Sequence, residues 1–181
     1  VLQAHGVTGV GIERCPGHLT DHYDPRDNTI YLSDGVYNSA TIAAVGVACH
    51  EAGHACQYAE NYFPIRVRSA IIPACRFGSY FSYILIFIGL FLYSQSWFGL
   101  GVLLFSLTTL FQLITLPVEF NASNRALATI EGQGLLYEDE YYGARKVLRA
   151  AALTYVAALL TSLLYLAQYL LIFLNMGRRN E

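Results

Sequence analysis

The chain has 181 residues, enough for one domain with a core of its own. Hydrophobic residues make up 55% of it and charged residues 13%, where an ordinary globular chain is about a quarter charged, so water is not its only solvent. Lys plus Arg number 11 against 13 Asp plus Glu, a formal net charge of −2, which excludes the basic footprint that a nucleic-acid partner requires.

In chain order, the first residue is Val1 rather than Met and no signal peptide follows, so a processed or trimmed N-terminus is expected. Residues 1–38 read as a small β-element. Val7 to Arg14 alternates, Pro16-Gly17 makes a turn, and His18 to Tyr23 forms a second extended piece. Asp24 to Asn28 turns again, and Thr29 to Ser33 alternates β-branched and aromatic residues as a strand, expected at the sheet edge and open to an extended substrate. His18, Asp21, His22 and Asp24 lie in these turns, where such residues serve Asx turns and solvation more often than a second metal site. His5 is expected to be solvated.

Residues 39–76 hold a helix and a linker. Ser39 is the expected cap of a helix from Ala40 to about Ala59, and Pro64 is expected to end that region before Arg66, Arg68 and Arg76. From Phe77 to Val118 there is no Asp, Glu, Lys or Arg, a run long enough for two spans of about 20 residues. Tyr93 to Gly99 reads as the turn between them, with Tyr93 and Trp97 at the interface. Residues 119–149 give a polar helix up to breaks at Gly132 and Gly134 and then an amphipathic one, with Glu138, Asp139 and Glu140 as a solvated face. A second charge-free run, Ala150 to Gly177, reads as the third span and stops at Arg178 and Arg179, leaving residues 178–181 as a tail. The fold class is a mainly α integral membrane protein with three transmembrane helices, a zincin-like helix and a small β-element.

His50-Glu51-Ala52-Gly53-His54 matches H-E-x-x-H. Two histidines one helical turn apart project from one face and can hold one tetrahedral Zn²⁺, and Glu51 lies beside the metal-bound water, whose pKa the ion lowers to about 7. The carboxylate then acts as general base while the water attacks a peptide carbonyl. Gly53 inside a helix costs about 1 kcal/mol against Ala and signals a close approach. Cys49 and Cys56 flank the motif at a spacing of seven, and with Cys15 and Cys75 they form no Cys-x-x-Cys pair, so all four read as small packed thiols.

A catalytic zinc takes three protein ligands, and Glu119 is the candidate for the third. A hairpin of two spans returns the chain to the side it left, and Glu119 follows the apolar run directly, where a carboxylate without a cation is costly. Glu131 is twelve residues further on, about 18 Å along a helix, so only one of the two reaches the ion. Arg125 is either an oxyanion stabiliser or, more simply, one half of an ion pair.

Three segments carry a resemblance: Asp21-His22-Tyr23-Asp24-Pro25, the helix from Ile42 to Gln57 with its His-Glu-Ala-Gly-His, and Leu116-Pro117-Val118-Glu119-Phe120-Asn121-Ala122-Ser123. Through them nearly the whole chain resembles the YugP-like neutral zinc metallopeptidases of bacterial membranes and, more distantly, the HtpX and CAAX-processing zinc proteases. The resemblance implies an integral-membrane peptidase of the gluzincin type, with Glu119 as third ligand from the Glu-Phe-x-Ala motif and a membrane helix ahead of Val1. In the distant relatives Asp follows that Ala, and Ser123 stands there in this chain.

The expected function is therefore a membrane-embedded zinc endopeptidase acting on peptides or membrane-protein segments, in contact with the bilayer and not with nucleic acid. The alternative is a non-catalytic metal-binding scaffold or chaperone, against which an intact Glu51 argues. A metal transporter would need an ionisable residue within a span, and the charge-free runs hold none. Six Arg and Lys before the first and third spans, against Arg178 and Arg179 after the last, put the site on the cytoplasmic side of a bacterial membrane by the positive-inside rule.

Overall fold

The computed structural model describes residues 1–178; of the expected tail, residues 179–181 lie outside the described residues. After a 3-10 turn at Gln3–His5 come strands β1 (Gly11–Cys15), β2 (His22–Asp24) and β3 (Thr29–Ser33). Five helices follow: α1 (Asp34–Tyr37), α2 (Ile42–Ala59), α3 (Phe63–Phe91), α4 (Gln95–Gly132) and α5 (Glu138–Arg178).

The strands start later than the alternation suggests, because Gly9 (φ +74°) and Leu19 (φ 57°) adopt left-handed backbone that belongs to turns. The sheet order is β1-β3-β2, with β1 parallel and β2 antiparallel to β3. Thr29–Ser33 is thus the central strand and not an edge, and strand addition to it is closed off, since its backbone groups are paired on both sides. Alternation reports which face of a strand is buried and says nothing of how many neighbours it has. Asp21 fastens the end of β3, accepting from Ser33 N at 2.7 Å and Ser33 Oγ at 2.9 Å.

The cap of α2 is Thr41, whose Oγ1 accepts from Ala44 N at 3.3 Å, while Ser39, two residues early, hydrogen-bonds to Thr41 instead. Pro64 opens α3 rather than ending the segment before it, because a first-turn position has no intrahelical use for the N–H that proline lacks. Leu92 to Ser94 suffice to turn the chain, with Tyr93 at φ 50°, so Trp97 already lies in α4. The helix α4 runs through Pro117 as one element to Gly132, and α5 carries the amphipathic segment into the third span without a break.

The chain divides into two compact units. One comprises Val1–Arg66 and Pro117–Thr154. In it Ile30 and Leu32 of β3 pack on Ala52 and Ala55 of α2, and Cys49 packs with Ala126, Ile130, Ala144 and Leu148. The other comprises Val67–Leu116 and the chain from Tyr155 onward. Its core is Ile86, Phe98, Val102 and Phe105, with Tyr169 and Phe173 against them, and Gly89 lets the backbone of Phe98 approach too closely for any side chain.

Three helices, α3, α4 and α5, are long and apolar enough to cross a membrane. The most apolar window of α5 has a mean hydropathy of 2.0, yet only 6% of it is buried. A soluble bundle would turn such a stretch inward, and lipid is the solvent that tolerates it outside.

A candidate metal centre between two helices

The helix α2 brings His50 and His54 to one face because four residues make about one turn. Gly53 lies between them, and a Cβ built there would fall 2.7 Å from the carbonyl oxygen of Ala122. The backbones of α2 and α4 therefore touch at this point, the close approach that a helix-interior glycine implies. Ascending residues of α2 meet descending residues of α4, His50 beside Ser123, His54 beside Glu119 and Gln57 beside Val118. The two segments run antiparallel.

Glu119 is only 2% exposed, and its Oε2 lies 3.3 Å from His50 Nε2 and 3.7 Å from His54 Nε2. One ligand atom from each of the three residues falls within 4.8 Å of the others. Ligands 2.0–2.2 Å from a tetrahedral zinc are spaced about 3.3 to 3.6 Å apart, so the three side chains suit that ion in donor type and the two distances from Glu119 lie close to that spacing.

The far side of each imidazole is also occupied. His54 Nδ1 lies 3.0 Å from Gln57 Oε1, and Gln57 Nε2 donates to Val118 O at 2.8 Å and Asn121 Oδ1 at 2.9 Å. With both amide hydrogens directed at oxygens, the amide presents its oxygen to the ring, so a neutral His54 carries its proton on Nδ1 and turns the Nε2 lone pair toward Glu119. Lone pair and carboxylate facing each other at that distance require a cation or a proton between them. Burial pulls the His54 pKa down, but the hydrogen bond and charge of Glu119, with smaller help from Glu51 and Gln57, outweigh it and hold the pKa above the ordinary imidazole value.

His50 Nδ1 lies 3.1 Å from Ser123 Oγ. A hydroxyl can give or take the proton, whereas a carboxylate only accepts, so His50 is held in position with its tautomer less firmly dictated.

Glu51 is buried at 8% exposure on the same helix. Arg125 makes an ion pair, its Nη1 donating to Glu60 at 2.7 Å and its Nε to Asn121 Oδ1 at 2.8 Å, and is committed to holding Asn121 rather than to an oxyanion. His5, expected in solvent, is half-buried between Glu60 Oε1 and Thr129 Oγ1, each 3.5 Å away. The turn residues take structural parts: Asp24 pairs with Arg26, and His22 stacks on Tyr31 with ring centroids 5.1 Å apart. Cys49, Cys56 and Cys75 are buried free thiols, and Cys15 is half-buried. Glu131, further along α4, accepts from Tyr141 at 3.4 Å. Sequence reasoning passed over Gln57 and Asn121; their signal was spacing, since Gln57 is three residues past His54 and Asn121 two past Glu119.

The family described as "Putative neutral zinc metallopeptidase" matches residues 1–174. A relative from Bacillus subtilis (strain 168), "Putative membrane protease YugP", is 47% identical over 175 residues, covering 97% of this chain and 78% of the relative. No solved structure matches the chain.

Proposed function

The chain belongs to the family of putative neutral zinc metallopeptidases, and on that premise we propose that it is a membrane-embedded zinc endopeptidase with His50, His54 and Glu119 as ligands and Glu51 as general base. The observation that carries this reading is the convergence of Glu119 Oε2 on both histidine Nε2 atoms at tetrahedral ligand spacing. Zinc, when bound, supplies Lewis acidity and makes a water acidic enough to lose its proton near neutral pH. Glu51 takes that proton and returns it to the leaving amine, a transfer worth about 10²- to 10⁴-fold in rate. Gln57 and Ser123 hold the imidazoles at the angle that ligation requires.

Substrates on this reading are peptides or membrane-protein segments, since three helices place the chain in a bilayer. The excess of Arg and Lys before the first and third spans supports a cytoplasmic site, and a C-terminal reporter active only in the cytoplasm would contradict it.

The test is metal analysis of the purified full chain, followed by peptide cleavage with and without a chelator. Cleavage should require zinc, and Glu51→Gln should retain stoichiometric zinc with nearly all turnover gone. Turnover that survives zinc removal, or normal turnover in the variant, overturns the mechanism.

A further inference from the structure

We propose that the cleft between α4 and α5, beside the metal centre, binds the phosphate headgroup of an anionic phospholipid. Phe120, Ser123, Asn124 and Leu127 form one wall, and Arg145, Leu148, Arg149 and Ala152 form the other, around a volume of about 200 Å³. Arg145 and Arg149 stand one helical turn apart on the same wall. Neither takes part in an ion pair or a hydrogen bond with any described residue, unlike Arg14, Arg26 and Arg125, which all have carboxylate partners. Two guanidinium forks directed at one small space match the oxygens of a phosphate, which each can grip bidentately.

The two walls set the depth of the site. Along α5 the charge-free run begins at Ala150, so that wall steps from charged to charge-free sequence within the cleft, and along α4 the charge-free run ends at Val118, two residues before Phe120. That step is where lipid headgroups lie, and basic pockets between helices at this level hold acidic lipids. Phe120, Leu148 and Ala152 then offer an apolar surface to the start of the acyl chains. Ser123 is shared by the cleft and the metal centre, through its contact with His50 Nδ1, so an occupant lies one side chain from the ligands.

The inference rests on the membrane reading and not on the zinc chemistry, and its test reads no peptide cleavage. The full chain is placed in bilayer discs of mixed phosphatidylcholine and phosphatidylglycerol, repurified, and its retained lipid measured by mass spectrometry. Wild type should retain phosphatidylglycerol in preference to phosphatidylcholine. Arg145→Gln with Arg149→Gln should lower that retention about thirtyfold, two basic residues' worth at a membrane surface. Asn124→Trp, which fills the cleft and keeps both arginines, should lower it as well. Lys146→Gln, on the same turn of α5 but outside the cleft, should leave it unchanged. Equal loss in the Lys146 variant would reveal diffuse surface charge, and undiminished retention in either cleft variant would place the lipid elsewhere; both outcomes overturn the proposal.

Discussion

Gly53 and Ala122 meet backbone to backbone, so tightly that a single methyl group on Gly53 would fall 2.7 Å from the Ala122 carbonyl oxygen. The contact sets how near Glu119 comes to the two histidines. Gly53→Ala should push α2 and α4 apart, destabilise the protein by about 1–3 kcal/mol through overpacking, and weaken zinc binding at least tenfold. Titration with zinc and thermal unfolding in detergent measure the two effects. Unchanged zinc affinity would show that the helix spacing does not control the site.

Glu119→Ala should lose most bound zinc and all cleavage, because it removes a buried carboxylate oxygen that faces both Nε2 atoms. Glu131→Ala, three turns along the same helix and hydrogen-bonded to Tyr141, should leave both near normal. Stoichiometric zinc of unchanged affinity in the Glu119 variant would send the search for the third ligand elsewhere.

Gln57→Leu should lower zinc affinity about 10- to 100-fold although Gln57 touches no metal, since it takes away the acceptor that holds the His54 proton on Nδ1. Asn121→Ala should give a smaller loss in the same direction, because Gln57 Nε2 keeps its bond to Val118 O. If Gln57→Leu binds zinc as wild type does, the orientation of His54 is set by packing alone.

Acid should weaken the fold through Glu60. The hydrogen bond from Arg125 holds the Glu60 carboxyl below its ordinary pKa; burial opposes it, and Arg125's charge and His5 add to the lowering. A carboxylate whose folded pKa is depressed contributes stability that is fully present above its unfolded pKa, about 4.3, and is lost as pH falls through the folded value. With its side chain 42% exposed, Glu60 should contribute less than about 1 kcal/mol. The stability gap between wild type and Glu60→Gln should therefore be open at pH 6 and shrink as pH falls below about 4.3, and a gap of constant size would exclude this linkage.

The sequence by itself determined whatever depends on spacing along the chain. His50, Glu51 and His54 share a helix turn whatever surrounds them, charge-free runs of these lengths are unaffordable in water, and Gly53 announces a close approach because a helix tolerates glycine poorly. Glu119 stood out for a related reason: a carboxylate at the end of an apolar run is costly without a cation. Only the tertiary structure decided what depends on neighbours far away in sequence. Alternation marked Thr29–Ser33 as a strand, but its place in the middle of the sheet came from pairing with both Gly11–Cys15 and His22–Asp24. Pro64 read as a stop and serves as a start, since a proline in the first turn gives up no intrahelical hydrogen bond. Ser123 against His50, Gln57 against His54, and Arg125 against Glu60 are separated by 73, 3 and 65 residues. Even the short-range pair could not be read in advance, because Gln57 faces His54 with its oxygen only after α4 has supplied two acceptors for its nitrogen.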